Sequence, residues 1–193
     1  MKFAKTAVAA ALGLAFCGAA FAQAGTVQRD VNQQQRIEQG LQSGQLTTRE
    51  AGKLEREESR VERDQSRAMQ DGKLSPAEKA RLAREQNRVS RDIYREKHDA
   101  QTGNPNSASS QRMQADVQRN INQQQRIEQG VRSGSLTNRE TARLERGEAR
   151  IDRKEARAAA DNHVGAREQR RIQKAENRES RRIHREKHDA QSK

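Results

Sequence analysis

Leu46, Leu54, Val61 and Met69 recur at steps of seven and eight residues, and Leu74, Leu82, Val89 and Ile93 renew the pattern downstream. Such steps return to one face of an α-helix and leave a narrow apolar stripe with polar residues around it. Between the stripes stand short octets: SGQLTTRE at 43–50, DGKLSPAE at 71–78, SGSLTNRE at 133–140 and a looser DNHVGARE at 161–168. Each reads as a helix stop followed by a helix start. Gly44, Gly72 and Gly134 suit the left-handed position past a helix C-terminus. Thr47, Ser75 and Thr137 then serve as N-caps, with Glu50, Glu78 and Glu140 three residues on to complete capping boxes. Pro76 falls at the first helical position, where its missing N–H costs nothing. In the fourth copy Gly165 replaces the capping hydroxyl and Asn162 replaces the glycine. The pattern predicts six helices, at about 28–42, 47–70, 75–98, 117–132, 137–160 and 166–188.

The chain also repeats itself on a longer scale. NQQQRIEQG occurs at 32–40 and 122–130, and REKHDAQ at 95–101 and 185–191, both offset by 90 residues. Inside each unit the octets at 43–50 and 71–78 repeat at an offset of 28. The expected fold is all-α: two tandem antiparallel three-helix bundles with thin cores, over 27–101 and 117–191. The segment 102–116 between them, containing TGNPNSASSQ, has the composition of a flexible linker. An up-down-up order puts the C-terminal ends of the first and third helices together. That end is letter-identical in the two units: Arg36, Glu38, Gln39, Arg95, Lys97, His98 and Asp99, then Arg126, Glu128, Gln129, Arg185, Lys187, His188 and Asp189. It is either a packing joint or a surface presented twice.

Composition changes the picture at the N-terminus first. Lys2 and Lys5, the apolar run 7–16 and Ala20-Phe21-Ala22 make residues 1–22 a secretory signal peptide, so the protein is expected to be periplasmic or secreted. Phe16 stands where a lipid-attachment signal at Cys17 would want a small residue. The whole chain carries +12, and +10 once Lys2 and Lys5 are removed; no cysteine remains and Tyr94 is the sole aromatic side chain. Leu, Ile and Val number seven each after residue 22, too few for a thick core. Caps, narrow seams and self-association are the remaining sources of stability.

Candidate chemistry is sparse. No nucleophile elbow, phosphate loop or H-E-x-x-H is present, so no catalytic residue is assigned. Acids interleave with arginine at helical spacing, as Glu57 with Arg60, and Glu62 stands four residues before Ser66; these acids are expected to face solvent. Two basic stripes follow helical spacing: Arg81, Arg84, Arg88, Arg91 and Arg95, and Arg171, Lys174, Arg178, Arg181 and Arg185. They offer bidentate donors to carboxylates or phosphates. Nucleic acid is disfavoured by the export signal and the lack of stacking aromatics. Two weak metal readings exist. Asp71 and Glu78 resemble part of a calcium loop, but aligning Gly72 with its invariant glycine puts Arg67 and Met69 where oxygen ligands belong. His184 and His188 have i, i+4 spacing suited to zinc or copper, though Tyr94 replaces His184 in the first unit.

The D-G-x-L-[ST]-x-x-E corners resemble those of small secreted bacterial proteins with degenerate EF-hand-like helix-turn-helix repeats. LTTRE at 46–50 and LTNRE at 136–140 are also similar to the L-T-x-x-Q motif of periplasmic stress chaperones, with Glu in place of Gln. That second resemblance implies a cationic, cysteine-free helical protein that shields clients, with relatives linked to metal resistance. The expected function is a non-enzymatic envelope binding or scaffold protein, with a chaperone-like role as one form of it, turning basic faces toward an anionic protein or envelope component. The alternative is an envelope metal-binding or metal-response protein.

Overall fold

The computed structural model describes residues 15–189, with side chains from Gln23 onward. The expected signal peptide, residues 1–22 with Cys17, lies outside the residues whose side chains are described. Six helices follow one another: α1 (Ala15–Ser43), α2 (Thr48–Ala68), α3 (Pro76–Lys97), α4 (Ala108–Ser133), α5 (Asn138–Ala158) and α6 (Ala166–Lys187). No strand occurs among the described residues, and the fold is all-α as the stripes predict.

The corners form by capping chemistry. Gly44, Gly72 and Gly134 take φ of 76°, 86° and 75°, and Asn162 takes 68° in the fourth corner. Thr47, Ser75 and Thr137 accept from the N–H groups of Glu50, Glu78 and Glu140, whose carboxylates return to the cap N–H. At Gly165, which has no side chain to offer, Glu168 still accepts from the cap N–H at 2.8 Å. Leu46 and Leu136 close their corners by donating backbone N–H to Gly40 and Gly130, at 2.9 and 3.0 Å.

The connector is shorter and better anchored than its composition suggests. Ser107 caps α4, so the helix begins at Ala108 and not near 117. The Gly103 N–H donates to the Gly44 carbonyl at 2.8 Å, and the Leu46 carbonyl lies so close that no β-carbon fits at 103. α1 likewise starts well before 28, because Ala24 and Val27 are buried against the other repeat.

The two units pack as one six-helix body. α2 lies against α5 and α1 against α4 more extensively than any other pair. The pairs run antiparallel: Ala24 and Val27 cluster with Ile127 and Val131, while Ile37 and Leu41 cluster with Met113 and Val117. The 90-residue repeat therefore becomes a pseudo-two-fold axis passing between α2 and α5. Those two helices are central, with neighbours on several sides, and bury far more than one stripe. α3 and α6 lie outside and bury narrow stripes such as Leu82, Gln86, Val89, Ile93 and Glu96.

Candidate metal centre

The arginine stripes are solvent-facing in both units, with Arg84, Arg88, Arg171 and Arg178 all exposed. Arg81 is shared between Asp64 and Glu85, each at 3.0 Å, and Arg95 pairs with Asp92. The letter-identical ends hold helices together. Lys97 donates to Gln39 at 3.3 Å and Lys187 to Gln129 at 3.1 Å, while Arg36 and Arg126 donate to the Ser90 and Ser180 carbonyls, both at 3.1 Å. Glu38 accepts from Gln42, and Glu128 pairs with Arg132. His98, Asp99, His188 and Asp189 remain exposed.

Neither sequence-level metal candidate is built for an ion. Asp71 accepts from the Lys73 N–H at 2.8 Å and Glu78 is committed to its capping box. His184 and His188 stack face to face with ring centroids 4.3 Å apart, and the His188 Nδ1 lies 2.6 Å from the His184 carbonyl. Tyr94 and His98 stack in the same way in the first unit. Stacked rings cannot aim two nitrogens at one ion, so the i, i+4 spacing here serves a helix end.

The unexpected chemistry is inside. About half of the chain's acidic residues are buried, and no lysine or arginine is buried among the described residues. Glu62, expected at the surface, is 2% exposed, because pairing of the two repeats covers the second face of α2. Along α2 the interior acids are Glu55, Glu58 and Glu62; along α5 they are Glu145, Glu148, Asp152 and Glu155. α1 adds Asp30 with Gln33 and Gln34, and α4 adds Asn120, Gln123 and Gln124.

Glu55, Asp152 and Glu155 converge most closely. One oxygen from each lies within 4.8 Å of the others, and all three residues are fully buried. The amide of Gln34 donates to Glu55 at 2.9 Å, and that of Asn120 donates to Glu155 at 2.9 Å and to Asp152 at 3.4 Å. These are the acids' protein donors, and they are neutral. The second oxygens Glu55 Oε1, Asp152 Oδ2 and Glu155 Oε1 have no hydrogen-bond partner, nor do Gln34 Oε1 and Asn120 Oδ1. Beside them Glu58, 1% exposed, has neither carboxylate oxygen hydrogen-bonded.

Burial without counter-charge shapes the titration. Burial pushes Asp30 and Glu55 up to about 7, with hydrogen bonds from Gln65 and Gln34 respectively opposing the rise. Glu58, Glu145, Glu148 and Glu155 are raised well above the carboxylate range by burial and then by neighbouring acids. Glu62 is raised well above that range by burial and then by the charges of Asp152 and Glu145, and Asp152 by burial and then by the charge of Glu55. An interior of this kind has two stable conditions at neutral pH: it holds protons, or it holds cations.

The donor set suits the second. Carboxylate and amide oxygens without nitrogen or sulfur select hard cations such as calcium, magnesium or manganese. Oxygens within 4.8 Å of one another can share an ion lying about 2.3–2.6 Å from each. Two further acid groups, Glu50 with Glu96 and Asp99, and Glu140 with Glu186 and Asp189, occupy the repeated ends. There Lys53 already answers Glu96 at 2.6 Å and Arg143 approaches Glu186 at 4.0 Å, so a cation is built in. One sequence signal for the interior centre existed: acids at 55, 58 and 62 and again at 145, 148 and 152, spaced along the same side as Leu54 and Val61.

Comparison with protein-family models, with curated proteins and with solved structures finds no match to this chain.

Proposed function

We propose that the protein is a non-enzymatic binder of hard multivalent cations, working in the bacterial envelope or beyond it as the N-terminal export signal implies. The observation that carries this reading is the convergence of Glu55, Asp152 and Glu155, fully buried, with no basic residue among their partners and with oxygens left over. A structural ion pair would place Lys or Arg there, and an apolar seam would place Leu. Equilibrium dialysis of the purified, chelator-stripped chain against calcium and manganese tests it. Micromolar uptake at pH 7.5 is expected, lost in a Glu55→Gln, Asp152→Asn variant that keeps its helical circular dichroism. A wild-type chain that takes up neither ion overturns the proposal.

The charge sorting favours a second role. With about half of the acids withdrawn inside, the exterior is more cationic than the formal +12 conveys, and the stripes from Arg81 to Arg95 and from Arg171 to Arg185 face outward. Such a surface supports association with an anionic envelope component. Retention on anionic vesicles at 20 mM salt and release at 500 mM is expected, and equal behaviour on neutral vesicles removes this role.

A further inference from the structure

Two hollows lie where α2 meets α3 and where α5 meets α6, and the 90-residue repeat relates them residue for residue. The first is lined by Asp64, Arg67, Ala68, Glu78, Arg81 and Leu82, and the second by Lys154, Arg157, Ala158, Glu168, Arg171 and Ile172. Ala68 with Leu82, and Ala158 with Ile172, are buried alike. The charges differ. In the first hollow two acids balance two arginines. Asp64 bridges those arginines, its Oδ1 3.1 Å from Arg67 and its Oδ2 3.0 Å from Arg81. Glu85 takes a second nitrogen of Arg81, Nε, at 3.0 Å.

The second repeat keeps both arginines and loses both acids that answer them. Lys154 stands at the place of Asp64, and Ala175 at the place of Glu85. Among the described residues, the ion pairs of the second repeat join Arg119 to Glu176, Arg132 to Glu128, Arg143 to Glu186 and Arg182 to Glu179. None of them reaches Lys154, Arg157 or Arg171. Glu168, the one acid left in the lining, is committed to the Gly165 N–H at 2.8 Å. Burial, and then the charges of Arg178 and Arg150, hold the Lys154 ammonium below its ordinary range, as befits a cation without a counter-charge. The second hollow is also the roomier, about 220 Å³ against about 130 Å³.

We propose that the hollow of Lys154, Arg157 and Arg171 binds a phosphate monoester, whose oxygens take the part that Asp64 plays between Arg67 and Arg81. The first repeat supplies the template, in which two guanidiniums hold one carboxylate, one oxygen each. A third cation calls for a third oxygen and a second negative charge. A phosphate monoester offers three acceptor oxygens and about −1.5 to −2 charge at pH 7. Three cations against Glu168 leave two positive charges to meet it. Arginine forks and a lysine point charge both engage phosphate well. Like charges at helical spacing repel when nothing lies between them, and the ligand relieves that repulsion. The inference does not draw on the cation-binding reading, and it goes beyond the surface role by giving Arg171 one ligand chemistry and one site per chain.

Calorimetry on the full chain, stripped of divalent cations and titrated with inorganic phosphate at low chloride, tests the site. One phosphate per chain is expected. Lys154→Asp copies the arrangement already folded in the first repeat and should weaken binding by roughly tenfold or more. Arg56→Asp, an equal change of charge at an exposed position of the other repeat, should leave binding unchanged. The converse pair, Asp64→Lys with Glu85→Ala, should add a second phosphate. A wild-type chain that takes up no phosphate, or one that binds it equally after Lys154→Asp, overturns the site. Helical circular dichroism is followed in every variant. If Lys154→Asp does not fold, the converse pair decides: a folded Asp64→Lys, Glu85→Ala chain that still holds one phosphate rejects the proposal. Sedimentation with phosphatidic-acid vesicles, set against phosphatidylglycerol at equal surface charge, separates a lipid headgroup from a soluble ester. A preference for phosphatidic acid that Lys154→Asp removes assigns the headgroup, and phosphate binding without that preference assigns the soluble ester. Equal, salt-sensitive retention on both vesicles with no phosphate bound rejects the hollow and leaves the surface role in place.

Discussion

Glu62 and Asp152 occupy the same place in the two repeats, 90 residues apart, and both are buried where α2 packs on α5. Burial, and then the charge of Asp152, raises the Glu62 carboxyl well above its ordinary range, so the two halves of the molecule meet through acids that need protons or cations. Both lie on the central helices, so whatever neutralises them also decides whether α2 and α5 can stay packed.

The first consequence concerns pH. The folded-state pKa values of Asp30 and Glu55, about 7, lie above their ordinary values of 3.8 and 4.5. Between those limits the folded state binds more protons than the unfolded one, so stability of the metal-free chain falls as pH rises. It is fully present below about pH 4 and lost through about pH 7. Thermal unfolding of the stripped protein from pH 4 to 8 should show a declining Tm, and excess calcium or manganese should flatten the decline. A Tm that rises toward pH 8 without cations contradicts this.

Cation uptake should release protons for the same reason, since carboxylates must ionise to bind. Calorimetry in two buffers of different ionisation enthalpy would measure the release at pH 7. Affinity should strengthen as pH rises from 6 to 8.

Glu58→Gln separates stability from binding. Removing a buried ionisable group without a counter-ion should stabilise the metal-free chain at pH 8 by ~1–4 kcal/mol, with little change at pH 4, where the acid is already neutral. Uptake of cations should weaken. Denaturant midpoints at the two pH values check it.

Gly52→Ala tests the close approach of α2 and α5. A β-carbon has no room against Ala159, and overpacking of this kind costs ~1–3 kcal/mol. The variant should widen the Glu55 group and weaken cation binding there, whereas Ala142→Gly on the related side should leave that binding in place. Titrating both variants side by side gives the comparison.

Thr137→Ala removes the capping hydroxyl of α5. A loss of ~1 kcal/mol is expected, with cation stoichiometry unchanged, because the corner is held by backbone chemistry and not by an ion. A Thr137→Ala chain that folds normally but binds no cation would assign the corner to metal after all.

What could be read in advance follows the range of the interactions. The corners were legible residue by residue: Gly72, Ser75, Pro76 and Glu78 satisfy one another within a few positions, and no distant residue is needed. The all-α class followed from the spacing of Leu54, Val61 and Leu82. The interior centre was misread because Glu62 among arginines looks the same whether its face is open or covered. The histidine pair left the opposite ambiguity, since i, i+4 spacing does not say whether rings converge or stack.

The sequence by itself determined the helices, their caps and the duplication, because these depend on local backbone geometry and periodicity. The tertiary structure decided which polar face is inside, by turning the two repeats against each other so that α2 and α5 cover one another's acids. Burial is a property of the partner surface, and only the packed pair converts a charged helix face into an anionic interior that calls for protons or cations.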